Sequence, residues 1–250
     1  MFKPKHIRMG ESTRTLLLSR FEGLAKKHPI AKTVERQIGD LFLHQISLDQ
    51  TLGKVQERAD YGFLNDAGRL DARRKALQGT FKERAKAQRE LESIAKNLGN
   101  FVPKVKQRES TDVIGEMQDQ EIRRVVRETW SENKRNRTDH SPEVLNAIAR
   151  APAIASGVMD SVHDQIRAQV VEQEQPGKTA EWEAAREAVE LAGETLRMLD
   201  KDFADAGEFS SVGEYDRYIK ENIVPQLAAD ESGKRKPKLS DYPPEMIVDY

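Results

Sequence analysis

The chain has 250 residues, of which 37% are hydrophobic, 33% charged and 6% aromatic, with five histidines, no cysteine and a formal net charge of -1. No run of about 18 apolar residues occurs and Leu16–Leu18 is too short for a signal-peptide core, which excludes a transmembrane helix and a secretory leader. The absence of cysteine removes disulfides and thiolate metal sites, and so little apolar material favours long amphipathic helices over a thick core. The near-zero charge hides a split. Residues 1–108 carry 23 Lys/Arg against 12 Asp/Glu, and residues 109–250 carry 18 against 30. Two readings follow: the halves face each other, within one chain or between subunits, or the basic half meets an external polyanion.

Residues 1–28 read as a basic arm holding a short helix from Glu11 to about Lys27. Pro29 then opens a long seam through Ala31, Val34, Ile38, Leu41, Leu48, Leu52, Val55 and Ala59, with Gln45 its one polar member. That spacing predicts one helix of about 30 residues, roughly 45 Å long. The stretch Tyr61–Gly68 breaks it, and Asn65 or Asp66 caps a second helix that runs to Leu98. Its apolar positions (Leu70, Leu77, Phe81, Leu91, Ala95, Leu98) are interrupted by Arg74, Arg84 and Gln88, so a partner surface is expected to complete it. Residues 29–99 therefore read as a long antiparallel αα-hairpin.

Residues 100–111 form a polar, basic linker. A third helix from Asp112 carries Ile114, Met117, Ile122, Val125, Val126 and Trp130 on one face and gives way to a polar loop at Ser131–His140. Ser141-Pro142-Glu143 restarts helix, with Ser141 as its cap, and Pro152 breaks it before a helix over 156–173. Pro176-Gly177 is a turn. After it, Thr179 caps the cleanest seam in the chain, Trp182, Ala185, Val189, Ala192, Leu196, Leu199 and Phe203, stepping by three and four. Gly207 ends that helix. Ser211 with Glu214 forms a capping box for a short helix stopped by Pro225, and residues 228–250 read as an extended tail. The expected fold is all-α: the hairpin, an acidic helical region over 112–227, and extended termini.

No chemistry-bearing constellation emerges. Glycine-rich phosphate loops and nucleophile elbows are absent. No two of His6, His28, His44, His140 and His163 share a helical face at metal-binding spacing. Asp200, Asp202, Asp205 and Glu208 fail the EF-hand pattern, since Asp205 stands where glycine is needed and Ser211 where glutamate is needed. No catalytic, cofactor or metal residue is assigned, and the chain is read as a non-enzyme. Val34, Ile38, Leu41, Leu48, Leu52, Val55, Trp182, Val189, Leu196, Leu199 and Phe203 can serve as core or as a seam for self-association. Arg69, Arg73, Arg74, Lys75, Lys82, Arg84, Lys86 and Arg89 could touch phosphates. Against this, Asp71, Glu83, Glu90 and Glu92 interleave with them, and Phe81 alone offers no stacking platform.

Two stretches carry a resemblance. Tyr61-Gly-Phe-Leu-Asn-Asp-Ala-Gly68 resembles a turn in helical open reading frames of tailed bacteriophages and prophages, and Leu145–Ile148 with Arg150–Gly157 is similar in kind. The resemblance implies a virion structural or assembly protein, such as a scaffold, an internal head protein or a neck component, working as a homo-oligomer and with other structural proteins, in the virion or host cytoplasm. It transfers no site residue. The alternative is a nucleic-acid- or polyanion-binding module using the basic half.

Overall fold

The computed structural model describes residues 8–132 and 141–233, and these are helical almost throughout, with no strand among them. Local signals placed by the sequence set many of the helix starts. α1 (Glu11–Ala25) leads through a turn to α2 (Pro29–Ile46), where the ring Nδ1 of His28 accepts the Ile30 N–H and Pro29 occupies the first turn. The arm after it is not one helix. It divides at Ser47 into α2 and α3 (Leu48–Gln56), and Ser47 Oγ donates to the His44 carbonyl at 3.0 Å, a local bond that competes with the helical ladder.

A 3-10 turn, Tyr61–Phe63, precedes α4 (Asp66–Ala76), capped by Asn65 Oδ1 accepting from Gly68 N at 2.8 Å. The second arm also divides, at Leu77, before α5 (Gln78–Leu98). α1 packs closely on α2, and α3 on α4. α2 and α5 are bridged by Gln37–Glu90 and by Thr80 Oγ1 to His44 Nδ1 at 3.4 Å, pairs that run in opposite senses along the two helices.

α6 (Val113–Glu132) is capped by Asp112, whose Oδ1 accepts from Gly115 N at 2.9 Å. α7 (Pro142–Ala149) has the expected Ser141 cap. Pro152 opens a single turn, α8 (Ala153–Ser156), closed by Gly157 in the left-handed region at φ 69°. α9 (Asp160–Glu174) follows, then the long α10 (Lys178–Ala206). Thr179 is not a cap but lies inside the first turn of α10.

The left-handed residue after α10 is Glu208, at φ 52°, rather than Gly207. Gly207 is required for a different reason. A Cβ there would lie 2.4 Å from the Phe209 ring. α11 (Val212–Tyr218) starts at the expected box: Ser211 Oγ accepts from Glu214 N at 3.1 Å, and the Glu214 carboxylate reaches back to Ser210 N at 2.8 Å.

Pro225 does not stop the helix. A π turn over Ile219–Ile223 carries α11 into α12 (Val224–Gly233), leaving Pro225 in a first turn, where its missing N–H is tolerated. Residues 228–233, expected as extended tail, are helical; 234–250, 1–7 and 133–140 lie outside the described residues.

The chain divides into two compact units, one drawn from residues up to Lys96 together with those from Ala188 on, the other from Asn97–Glu187. The sequence blocks 29–99 and 112–227 cut the chain at other points, because helical periodicity cannot show that α10 returns to the N-terminal third. In the first unit Phe21, Val34, Ile38, Leu41, Leu48, Leu77, Phe81, Leu199, Phe203 and Tyr215 are buried. In the second, Val105, Val126, Leu145, Ile148, Ile166 and Val170 form one core cluster, with Ile122 and Val162 packed against it. Leu199→Ala should therefore cost about 2–5 kcal/mol in urea denaturation. Leu43→Ala, at an exposed position one helical face away from the seam, should stay within about 0.5 kcal/mol of the parent.

Candidate functional site: two buried charge nodes

The first node joins α5 to α10 and α11. Arg84 is buried, and its Nε and Nη2 donate to the two carboxylate oxygens of Asp200 at 2.7 and 2.5 Å. Nη2 also reaches Asp216 at 3.2 Å, and Nη1 donates to Gln88. Such a bidentate fork is the geometry in which a guanidinium and a carboxylate can leave water together. Burial pushes the Asp200 carboxyl above its ordinary value even against Arg84. Burial opposes the charge on Arg84 too, but the Asp200 carboxylate outweighs it and holds the guanidinium firmly cationic.

Around this pair stands an aromatic cluster. Phe81 meets Tyr215 edge-on at 5.4 Å between centroids, and Phe209 meets Tyr215 at 5.4 Å and Tyr218 at 5.2 Å. Arg74 lies 3.9 Å over the Phe209 ring, a cation–π contact, and its Nε donates to the Gly207 carbonyl at 3.1 Å. Arg73 pairs with Glu208, and Arg74 with Glu214 at 3.5 Å. Further along the same unit, Gln45 Nε2 donates to Asp202 at 2.9 Å and Met9 N to the same oxygen at 3.2 Å.

Part of the basic–acidic split in the sequence is thus matched within one chain. Asp200, Asp202, Glu208, Glu214 and Asp216 all turn to donors from the N-terminal third. The acidic run that fails as a calcium loop is an acceptor row for arginine and amide groups, and no group of three potential metal ligands exists among the described residues.

This corrects two expectations. Among the proposed phosphate contacts, Arg73 and Arg84 are buried and Arg74 is covered by Phe209, because their charge is matched inside the fold. Lys86 is exposed but pairs with Glu83 at 2.5 Å, and Arg69 sits over Tyr61 with its centre 5.8 Å from the ring. Lys75 is exposed, and Lys82 and Arg89 are half-buried.

The seam residues are likewise used at home. Val34, Ile38, Leu41, Leu48, Leu52, Val55, Leu196, Leu199 and Phe203 are buried in the single chain, while Trp182 and Val189 are half-buried. Within the single chain, α10 and α11 bring Asp200, Asp216, Tyr215 and Tyr218 against the second arm at Arg84 and Phe81. A capping or periodicity rule cannot find this; the one usable signal is that Arg84 falls at an apolar register position.

The second node lies in the other unit. Asp119, 1% exposed, accepts from Arg108 Nε at 2.9 Å, from Arg108 Nη2 at 3.0 Å and from Arg150 Nη1 at 3.2 Å. Arg108 Nη1 also donates to Asp112 at 2.8 Å, and Arg150 Nε to the Lys106 carbonyl at 3.2 Å. The network ties the 100–111 linker to α6 and to the end of α7. A hollow of about 650 Å³ opens beside it, lined among others by Arg108, Asp119, Ile122, Glu143, Asn146 and Arg150. This node is silent in the sequence, because Arg108 falls in a segment without periodicity and Asp119 on a helix face that looks solvated.

On α6 the expected apolar face divides. Val126 is buried and Ile122 half-buried, but Val113, Ile114 and Met117 are 63%, 73% and 65% exposed, and Val125 is open too; the side chain of Trp130 lies outside the described set. No family model, curated protein or solved structure matches the chain.

Arg84→Met should destabilise the protein by roughly 3–5 kcal/mol, because a buried carboxylate loses its partner, whereas Arg84→Met with Asp200→Leu should recover most of that loss; urea denaturation measures both.

Burial would raise the Asp119 carboxyl, but hydrogen bonds from Arg108 and Arg150 outweigh it and hold the group below 3.8. Between 3.8 and that lower folded value, the unfolded chain takes up a proton that the fold refuses, so this stabilisation is lost as pH falls. Asp200 has the opposite sign, losing stability as pH rises through the window between 3.8 and its raised folded value. In thermal melts from neutral pH downward, Asp119→Asn should start lower than the parent and lose less on acidification.

Proposed function

We propose that this chain is a non-enzymatic helical structural or assembly protein that works in association with further copies of itself or with other structural proteins, as a component of a phage virion of the scaffold, internal head or neck kind. The observation that carries the assembly reading is the outer face of α6. Val113, Ile114 and Met117 form an open apolar patch at the start of α6, on a unit that already has a closed core, and exposed apolar patches of this kind commonly mark protein–protein contact. The phage assignment rests on the resemblance of Tyr61–Gly68 and 145–157. The polyanion-binding alternative is weakened, because three of the eight basic residues that would supply it, Arg73, Arg74 and Arg84, are turned onto the acidic C-terminal stretch. No helix among the described residues is long and apolar enough to cross a membrane.

Sedimentation velocity over a wide protein concentration range tests the reading. The parent should sediment as an assembly whose size falls on dilution, and Ile114→Lys with Met117→Lys should shift it to the smaller species with an unchanged circular dichroism spectrum. A parent that is monomeric at every concentration, or a double variant that assembles as before, would contradict it. Duplex DNA added at low salt should leave the sedimentation unchanged; a bound species lost steeply with salt would favour the polyanion reading instead.

A further inference from the structure

We propose that the hollow beside Asp119 is a binding site for a small zwitterion of the α-amino-acid type with an apolar side chain. This inference is independent of the assembly reading and uses one unit alone. The hollow, at about 650 Å³, lies within the range of sites for small molecules. Its wall is built around a buried carboxylate. Asp119 fixes Arg108 from two sides and Arg150 from one, and the Lys106 carbonyl fixes Arg150 at Nε. The Nη2 of Arg150 is left with no hydrogen-bond partner among the described residues, on a guanidinium whose orientation is already set. A preset, partly desolvated guanidinium is the donor that recognises a carboxylate with little loss of side-chain freedom.

The opposite chemistry is present in the same wall. Asn146 lines the hollow, and its Oδ1 is shut off from water with no hydrogen-bond partner among the described residues. Buried amide oxygens are nearly always satisfied, so an orphan beside a cavity points to a donor supplied by a ligand. Glu143, in the first turn of α7, lines the hollow too and engages no cation there. Glu121, another neighbour, is already held by Arg124 at 2.5 Å.

Charge then selects the ligand. Arg108 and Arg150 are matched by Asp119, and Glu121 by Arg124, which leaves exposed Glu143 as the one charge of the lining with no counter-ion among the described residues. A bare anion would leave Glu143 and the Asn146 oxygen unmatched, and a bare cation would confront Arg150. A molecule carrying both a carboxylate and an ammonium group satisfies each end, the carboxylate on Arg150 and the ammonium on Glu143, with a turn of the half-buried Asn146 side chain bringing its Oδ1 out to the same group. Half-buried Ile122 offers the apolar surface on which a side chain can rest.

Isothermal titration calorimetry of the full-length protein tests this with three probes: L-leucine, 4-methylpentanoate, which lacks the ammonium group, and 3-methylbutylamine, which lacks the carboxylate. Leucine should give saturable heat, with each half-ligand at least about tenfold weaker. Arg150→Gln and Asn146→Ala should each weaken leucine by about tenfold or more while the circular dichroism spectrum is kept. Should Arg150→Gln fail to fold through loss of its Asp119 bond, Asn146→Ala alone decides. The absence of saturable heat with leucine up to about 10 mM would overturn the proposal. So would 4-methylpentanoate binding as tightly as leucine, or a folded Asn146→Ala that binds leucine like the parent.

Discussion

The Arg84–Asp200 pair is the constraint that sets which helices meet in the larger unit. It joins a helix of the N-terminal third to one that begins about a hundred residues later, with both groups buried. A chain this poor in apolar residues closes its interior with hydrocarbon and with paired charge together. It brings charged groups inside and matches each one: Arg84 with Asp200 and Asp216, Arg73 with Glu208, Gln45 with Asp202. Isolated buried pairs add little net stability, but losing one partner is expensive. They therefore specify which helices meet more strongly than they stabilise the meeting. The aromatic cluster of Phe81, Phe209, Tyr215 and Tyr218 supplies the apolar closure around that choice.

The same logic recurs in the smaller unit on a different scaffold. Asp119 gathers Arg108 from the linker and Arg150 from the end of α7, so a segment without regular structure is anchored to α6 through one carboxylate. The apolar residues of α6 are shared between a buried edge at Val126 and an open patch at Val113, Ile114 and Met117. The unit is thus closed by charge on one side and left apolar on another, and that open face underlies the assembly reading.

Much of the fold is legible in the sequence because its signals are local. Asn65, Ser141 and Ser211 cap the helices they precede, and the 3–4 steps of Val34–Val55 and Leu196–Phe203 mark residues that are in fact buried. What long-range packing decides is not legible. Periodicity runs through Ser47 and Leu77, where the helices divide, because a side-chain bond such as Ser47 to His44 leaves no mark on an apolar pattern. Pro225 looks like a stop because a proline rule has no knowledge of a π turn that relocates it. The destination of Arg73, Arg74 and Arg84 is hidden for the same reason. A basic helix facing water and one facing acids 116 or 135 residues away are written identically. Of the candidate site, the arginines are visible as charge, whereas the orphaned oxygen of Asn146 and the anchoring of Arg150 appear only in three dimensions.

Native-state hydrogen exchange on the parent and on Arg84→Met tests the central claim most directly, since it reports which helices open together. If the buried pair joins the two distant stretches into one cooperative unit, the slowest amides of α5, α10 from Ala188 on, and α11 share a single opening free energy in the parent. The variant then lowers it by the same amount in all three. If the variant accelerates exchange in α5 alone, or if α10 and α11 already open separately in the parent, the charge pairing would be a local contact and not the joint that holds the larger unit together.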